Sequence, residues 1–184
     1  GSKIKWVMEN DPKTYSKIYK VMLPGDYISY KLTGEISTTA SGLSEGTMWN
    51  FESNSISSDI LNHYCIGDKI IPDLVNSIGN QGYLSNKVCK KFGFNKEVSI
   101  TYRTGDQPNN AFSLNVLNPG EIAATAGTSA VIYSVTDKNI YDRNNRINTF
   151  LHCNSSDSKK RNGLLLCING SGIAFSWIKS LLNE

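Results

Sequence analysis

Apolar positions recur at helical spacing through the first part of the chain. Ile4, Trp6, Val7 and Met8 mark a short helix that ends near Asn10-Asp11-Pro12. Pro12 opens a second helix, because the first helical position needs no amide donor, and Asp11 before it is a candidate N-cap. Tyr15, Ile18, Tyr19 and Met22 carry that helix on with a 3.6-residue period. Pro24 restarts the pattern through Tyr27, Ile28 and Leu32, and Gly34 stops it. Residues 35–58 turn polar and small, with short strand candidates at 35–38 and 46–50. Ser58-Asp59 is expected to cap a helix through Ile60, Leu61 and Tyr64, and another helix spans 86–92. Ile70-Ile71-Pro72 between them reads as an extended connector.

The pattern changes near Lys96. Val98, Ile100 and Tyr102 alternate with Ser99, Thr101 and Arg103, which predicts a half-buried strand. Gly105-Asp106-Gln107-Pro108 breaks it, and a helix follows over 109–115. Asn118-Pro119-Gly120 is a turn. The runs 121–126 and 130–135, joined by Gly127-Thr128-Ser129, predict a β-hairpin. Residues 149–153 and 163–168 give two more strands, with Lys159, Lys160 and Arg161 at a hairpin tip, and a last helix runs from Gly172 to Glu184. The first half is thus mainly helical and the second is strand, hairpin and helix, an α/β chain with a boundary near residue 96. No internal repeat is present.

Composition narrows the class. The chain has 184 residues, of which 39% are hydrophobic and 19% charged, enough to bury a core. Nineteen basic and sixteen acidic residues leave a net charge of +3, too weak a bias to point to nucleic acid. The longest apolar run, 164–168, is far short of a membrane span. Cys65, Cys89, Cys153 and Cys167 show no C-x-x-C pair, and a zinc site with His63 or His152 lacks the spacing. Reduced, mostly buried thiols and a cytoplasmic location are expected. Gly1-Ser2 reads as an expression scar, and the abrupt ends suggest a piece of a longer protein. The triplets Asn154-Ser155-Ser156 and Asn169-Gly170-Ser171 carry no weight as glycosylation sites without a secretory route.

Three places could carry chemistry. Asp106 stands between a strand and a helix, where it is either an N-cap or a general base; a capping bond would lower its pKa and weaken it as a base. Gln107 beside it is a polyol contact or a first-turn residue. Gly127-Thr128-Ser129 is either an ordinary hairpin turn or a cradle of amides and a hydroxyl for phosphate oxygens. Gly170-Ser171-Gly172 precedes a helix whose N-terminus can attract an anion, and no Walker-type phosphate loop occurs. Trp6 and Trp177 read as core, and Trp49 as a pocket lining or core edge. His63 and His152 lack evident partners, and neither reads as a catalytic base.

Taken in order, these stretches resemble the FGGY carbohydrate kinases. The likeness lies in Lys3-Ile4-Lys5-Trp6-Val7-Met8-Glu9-Asn10, in Leu23-Pro24-Gly25-Asp26-Tyr27 followed by Leu32-Thr33-Gly34-Glu35, in Gly46-Thr47-Met48-Trp49, in Gly105-Asp106-Gln107 and in Ala126-Gly127-Thr128-Ser129. It covers essentially all of the chain after the scar. Within the family, G-T-M-W and A-G-T-S are most similar to xylulose kinases.

The resemblance implies an actin/hexokinase-like (ribonuclease H-like) fold of two α/β domains. Residues 3–95 would be the later part of the N-terminal domain and 96–184 the first part of the C-terminal domain. It implies ATP-dependent phosphorylation of a sugar hydroxyl, D-xylulose to D-xylulose 5-phosphate, with Mg²⁺. Asp106 would be the base and, with Gln107, a sugar contact; Gly127, Thr128 and Gly172 would meet the nucleotide. No protein ligand for a metal is assigned. Sugar and ATP are the expected partners, without nucleic acid or membrane, and a homodimer is open. Arg103-Thr104-Gly105-Asp106-Gln107-Pro108 departs from the G-G-G-D-N-A of many xylulose kinases, and its D-Q pair also occurs in glycerol kinases. A kinase for glycerol, gluconate, fucose or rhamnulose, or a non-catalytic sugar-binding protein on the same fold, is the alternative. The family's first phosphate loop and adenine region lie outside this stretch, so the piece is expected to be inactive alone.

Overall fold

In the computed structural model, residues 1–94 and 97–182 are described. The chain divides into two compact units, Gly1–Gly105 and Asp106–Glu184. The boundary expected near residue 96 falls on residues outside the described ones.

The first unit is mainly helical: α1 (Ser2–Asn10), α2 (Pro12–Tyr15), α3 (Pro24–Thr33), α4 (Ala40–Glu45), α5 (Ser58–Tyr64) and α6 (Asn86–Phe92). Two small sheets join them. The strand β1 (Ser37–Thr39) runs parallel to β4 (Asp73–Val75), and β2 (Trp49–Asn50) pairs antiparallel with β3 (Ser55–Ile56). Local chemistry accounts for most of the helix ends. The Asp11 carboxylate accepts the Thr14 amide at 3.0 Å, Pro24 opens α3, and Gly34 closes it at φ +88°. Ser57, one residue before the expected cap, accepts the Ile60 amide for α5. Leu43, Met48, Trp49, Leu61, Ile66 and Ile71 form the buried apolar set, so Trp49 belongs to the core.

Two expectations fail here for tertiary reasons. α2 stops at Tyr15 and does not run on to Met22. The segment after it is held by other partners instead: the Val21 amide donates to the Ile70 carbonyl at 2.8 Å, and the Lys20 ammonium donates to the Ile71 carbonyl at 2.8 Å. The strand expected at 98–102 is not regular either. Residues 98–103 do lie along 77–84, joined by Gly79 N–H to Thr101, Gln81 N–H to Ile100 and Ile100 N–H to Gly82. Only isolated bridges form, because Gly79 and Gly82, at φ +134° and +121°, break the partner's extended path.

The second unit is a four-stranded antiparallel sheet in the order β5-β6-β8-β7, made from β5 (Ile122–Ala126), β6 (Ala130–Thr136), β7 (Asn148–Leu151) and β8 (Asn162–Ile168). The helix α7 (Asp106–Ser113) precedes the sheet and α8 (Ser171–Leu181) follows it. α7 therefore begins at Asp106, ahead of the expected residue 109. The core is Ala111 and Val116 against Ala123, Tyr133, Val135 and Leu165, with Val131 and Phe150 packed on it. The Glu121 carboxylate closes the 118–120 turn, accepting the Asn118 side-chain amide at 3.0 Å and the Leu117 and Asn118 backbone amides at 2.6 and 2.8 Å, and these bonds, the Asn118 side chain's first, hold its pKa below the usual range.

The aromatic ends of the chain lie elsewhere than expected. Trp6 and Trp177, read as core, are 63% and 61% exposed. Both sit on helices whose apolar faces pack little within the unit. Cys65 and Cys167 are exposed as well, so the thiols are not mostly buried.

Candidate functional site

Asp106 is the first residue of α7 and is exposed. It stands inside the helix, not at the N-cap, and among the described residues no hydrogen bond reaches its carboxylate. The capping role is thus absent. Its negative charge lies in the first turn, where the helix dipole favours an anion. Pro108 follows within that turn and is buried, at no cost to the helix because early amides need no partner. Gln107 is half-buried.

The hairpin tip and the start of α8 meet directly. Register pairs Ala126 with Ala130, leaving Gly127, Thr128 and Ser129 as an exposed three-residue tip. The Gly127 amide donates to the Ser129 carbonyl at 2.9 Å. The Gly172 amide donates to the carbonyls of Gly127 and Thr128, each at 3.1 Å, and the Ile173 amide reaches the Thr128 carbonyl at 3.4 Å. The Ser171 hydroxyl donates to Gly127 O at 3.4 Å. A Cβ on Gly172 would overlap the Gly127 carbonyl, so this approach requires glycine.

The structure therefore brings three of the sequence-predicted residues, Gly127, Thr128 and Gly172, into one cluster. It also changes their chemistry. The first amides of α8 are taken up by the tip's carbonyls, so Gly172 serves the shape of the cluster more than it offers a donor. Among the described residues, the Thr128 hydroxyl makes no bond and remains available to an incoming oxygen. α7 packs on β5, and the 114–121 connection reverses the chain. The N-terminus of α7, with Asp106, and the tip after β5 consequently lie toward the same end of this unit.

Two groups were not legible as functional or structural anchors. The Arg103 guanidinium is buried in the first unit, not on the polar face of a strand. Its Nε lies 3.4 Å from Asp26 Oδ1, and its Nη2 donates to Ser37 Oγ at 2.9 Å. Thr38 Oγ1 and the Leu23 amide donate to Asp26 Oδ2 at 2.8 and 3.2 Å. Burial still pushes the Asp26 carboxyl up, outweighing these bonds and Arg103, and the same burial draws Arg103 down. In the second unit, His152 is 1% exposed and does have partners. Tyr133 Oη and His152 Nδ1 lie 3.0 Å apart, and the ring also bonds the Val116 backbone. Burial lowers its pKa to about 4, which keeps the ring neutral. A Cβ at Gly163 would overlap the Tyr133 hydroxyl, so glycine there lets the tyrosine reach the histidine.

Both units are found together in known sugar kinases of the actin/hexokinase-like α/β fold. A xyloylose kinase from Brucella ovis superposes with a TM-score of 0.90 at 21% identity, over 99% of this chain and 37% of that one. A Plasmodium falciparum glycerol kinase with ADP superposes at 0.85 with 19% identity, over 97% and 36%. The xylulose kinase of Staphylococcus xylosus is 26% identical over 181 residues, 98% of this chain. The model of the FGGY family of carbohydrate kinases, N-terminal domain, matches residues 1–113, and the chain belongs to that family. It spans 37% of the length of the Staphylococcus relative. No helix among the described residues is long and apolar enough to cross a membrane.

Proposed function

We propose that the chain is part of a cytoplasmic kinase that phosphorylates a sugar hydroxyl, D-xylulose to D-xylulose 5-phosphate. Residues 3–95 are read as the later part of its N-terminal domain and 96–184 as the first part of its C-terminal domain. The observation that carries this reading is the exposed, unbonded Asp106 carboxylate at the end of the second unit where the glycine tip also lies. Such a carboxylate can take the proton of an attacking hydroxyl, because no capping bond competes for its lone pairs. Gln107 orients the sugar. Thr128 and the Gly127 backbone face the nucleotide phosphates, and Gly172 keeps the tip in place.

ATP supplies the transferred phosphoryl group. The fit is partial: the Thr128 hydroxyl is available, whereas the Gly172 amide is already used. Among the described residues, no cluster of three or more His, Cys, Asp or Glu side chains could hold a metal. Mg²⁺ is therefore expected with the nucleotide, and no step here depends on a protein-bound metal. Phosphoryl transfer is mostly positioning and electrostatics shared among several loops. This chain spans a little over a third of its relatives' length, which supports the reading that it does not turn over alone.

The test is Asp106→Asn in the whole kinase. Loss of a general base lowers sugar-dependent ADP release by about 10²–10⁴-fold while sugar binding survives. Near-normal turnover would remove Asp106 from the mechanism. The Asp106-Gln107 pair and the glycerol kinase neighbour favour a second reading, a different polyol as substrate. A panel of xylulose, glycerol, gluconate, fucose and rhamnulose separates the two. Sugar binding without any ADP release would point to the non-catalytic alternative. A homodimer is supported only by the exposed apolar residues of α8, and sedimentation decides it.

A further inference from the structure

The helix that begins with Asp106 is fastened at its other end, wholly within the second unit. α7 closes in a Schellman-type turn. Asn115 takes φ +58°, its amide donates to the Phe112 carbonyl at 2.9 Å, and the Val116 amide donates to the Ala111 carbonyl at 3.0 Å. The next two carbonyls are gripped by side chains from the segment that follows β7. The His152 ring bonds the Val116 backbone, and since the Val116 amide is spent on Ala111, the carbonyl is the group it meets. Asn154 Nδ2 donates to the Leu117 carbonyl at 3.1 Å.

The grip is itself tied to the sheet. Tyr133 Oη, on the interior strand β6, lies 3.0 Å from His152 Nδ1, and the His152 amide donates to the Arg161 carbonyl at 3.0 Å. His152 is 1% exposed, and Asn154 Oδ1 is buried with no hydrogen bond among the described residues. An apolar side chain in either place would avoid the cost of burying these polar groups, so packing alone does not account for them. A hydrogen bond adds what packing lacks, a set direction for the carbonyl it holds. α7 has eight residues, a length of about 12 Å. A tilt of about 5° at the fastened end moves the Asp106 end by about 1 Å, a misplacement that can cost about 10²-fold in rate. We propose that His152 is a positioning residue for Asp106: with Asn154 it fixes the carbonyls that leave α7, and so the tilt of that helix on the sheet that carries the glycine tip. His152 touches no reacting group itself. The inference rests on the reading of Asp106 as the base, but the tilt is measurable without it.

The experiment measures residual dipolar couplings of the α7 amides against those of β5, β6 and β8 in the 184-residue chain. Wild type is compared with His152→Gln and with the pair His152→Phe and Tyr133→Phe. Glutamine keeps an amide donor for the Val116 carbonyl, and the double variant removes imidazole and phenol together so that neither is stranded. The expected result is a turn of α7 by at least about 5° in the double variant, enough for the misplacement above, and the wild-type direction with glutamine. An unchanged direction in the double variant, or an equal turn with glutamine, overturns the proposal. Where the double variant does not fold, Asn154→Ala decides by the same couplings: a turn of α7 supports the grip and none overturns it. In the whole kinase, the double variant should lower kcat by about 10²-fold with little change in KM for the sugar, and His152→Gln should keep most of the rate. A change in KM alone, or an equal loss of kcat with glutamine, overturns positioning. If Asp106→Asn leaves turnover intact while α7 turns as expected, the reading of Asp106 as the base has failed and the grip on α7 stands.

Discussion

The connector ahead of Asp106 and the tip beside α8 solve one problem in opposite ways. Both hold a short loop in place at a candidate site. The connector is held by side chains: a buried guanidinium, a carboxylate and three hydroxyls from α3, β1 and α4. The tip is held mainly by backbone, through amides of α8 donating to carbonyls that a missing Cβ allows to approach, with the Ser171 hydroxyl adding one longer bond. Side-chain clamps can be rebuilt with other residue pairs, whereas a backbone clamp fails with a single added methyl. The difference predicts where each region breaks.

The largest effect is expected at the tip. Gly172→Ala places a Cβ into the Gly127 carbonyl and against the Thr128 Cα, both backbone atoms that cannot rotate away. Overpacking of this kind costs about 1–3 kcal/mol. Urea unfolding should show the loss, and an unchanged midpoint would mean the tip moves freely. At the connector, Ser41→Ala removes one of several links and should cost only about 1 kcal/mol by the same measurement. A loss as large as that of Gly172→Ala would erase the distinction.

Acid separates the two units further. The unfolded chain carries His152 with its ordinary pKa of 6.5, while the folded ring, starved of solvent, titrates near about 4. The unfolded state binds the proton more readily, so the stability that the neutral ring supports is present above pH 6.5 and is lost as pH falls toward 4. The loss is at most about 3 kcal/mol and belongs to the second unit. Urea unfolding at stepped pH checks it, and His152→Gln should flatten the slope. A slope that survives the substitution would assign the acid sensitivity to another group. The smallest effect is expected away from both regions. Glu9→Gln breaks the exposed Lys5–Glu9 pair at 3.3 Å and should shift stability by about 0.3 kcal/mol.

Local rules were enough for the elements that depend on a few neighbouring residues. Asp11-Pro12, Pro24 and Gly34 set helix ends where expected, the 86–92 helix formed as expected, and the 127–129 tip joined the two strands that its small residues predicted. The family likeness placed Asp106, Gly127, Thr128 and Gly172 as candidates before any contact was visible. What local rules missed was partnership. The 3.6-residue period continued past Tyr15, but Val21 and Lys20 found better acceptors at Ile70 and Ile71. Alternation put Arg103 on a solvent face, yet glycines in the facing segment prevented a strand and the side chain turned inward.

The amino-acid order alone determined the α/β succession, the family and the residue types available at the candidate site, because these follow from propensity, turn chemistry and motif order within short windows. Only the tertiary structure decided which of those residues meet. The Gly172 amide is spent on Gly127 and Thr128, His152 is buried against Tyr133, and Arg103 is tied to Asp26, a residue of α3 far earlier in the chain. Such choices depend on long-range packing and on the cost of leaving buried polar groups unpaired, and no short stretch of sequence encodes them.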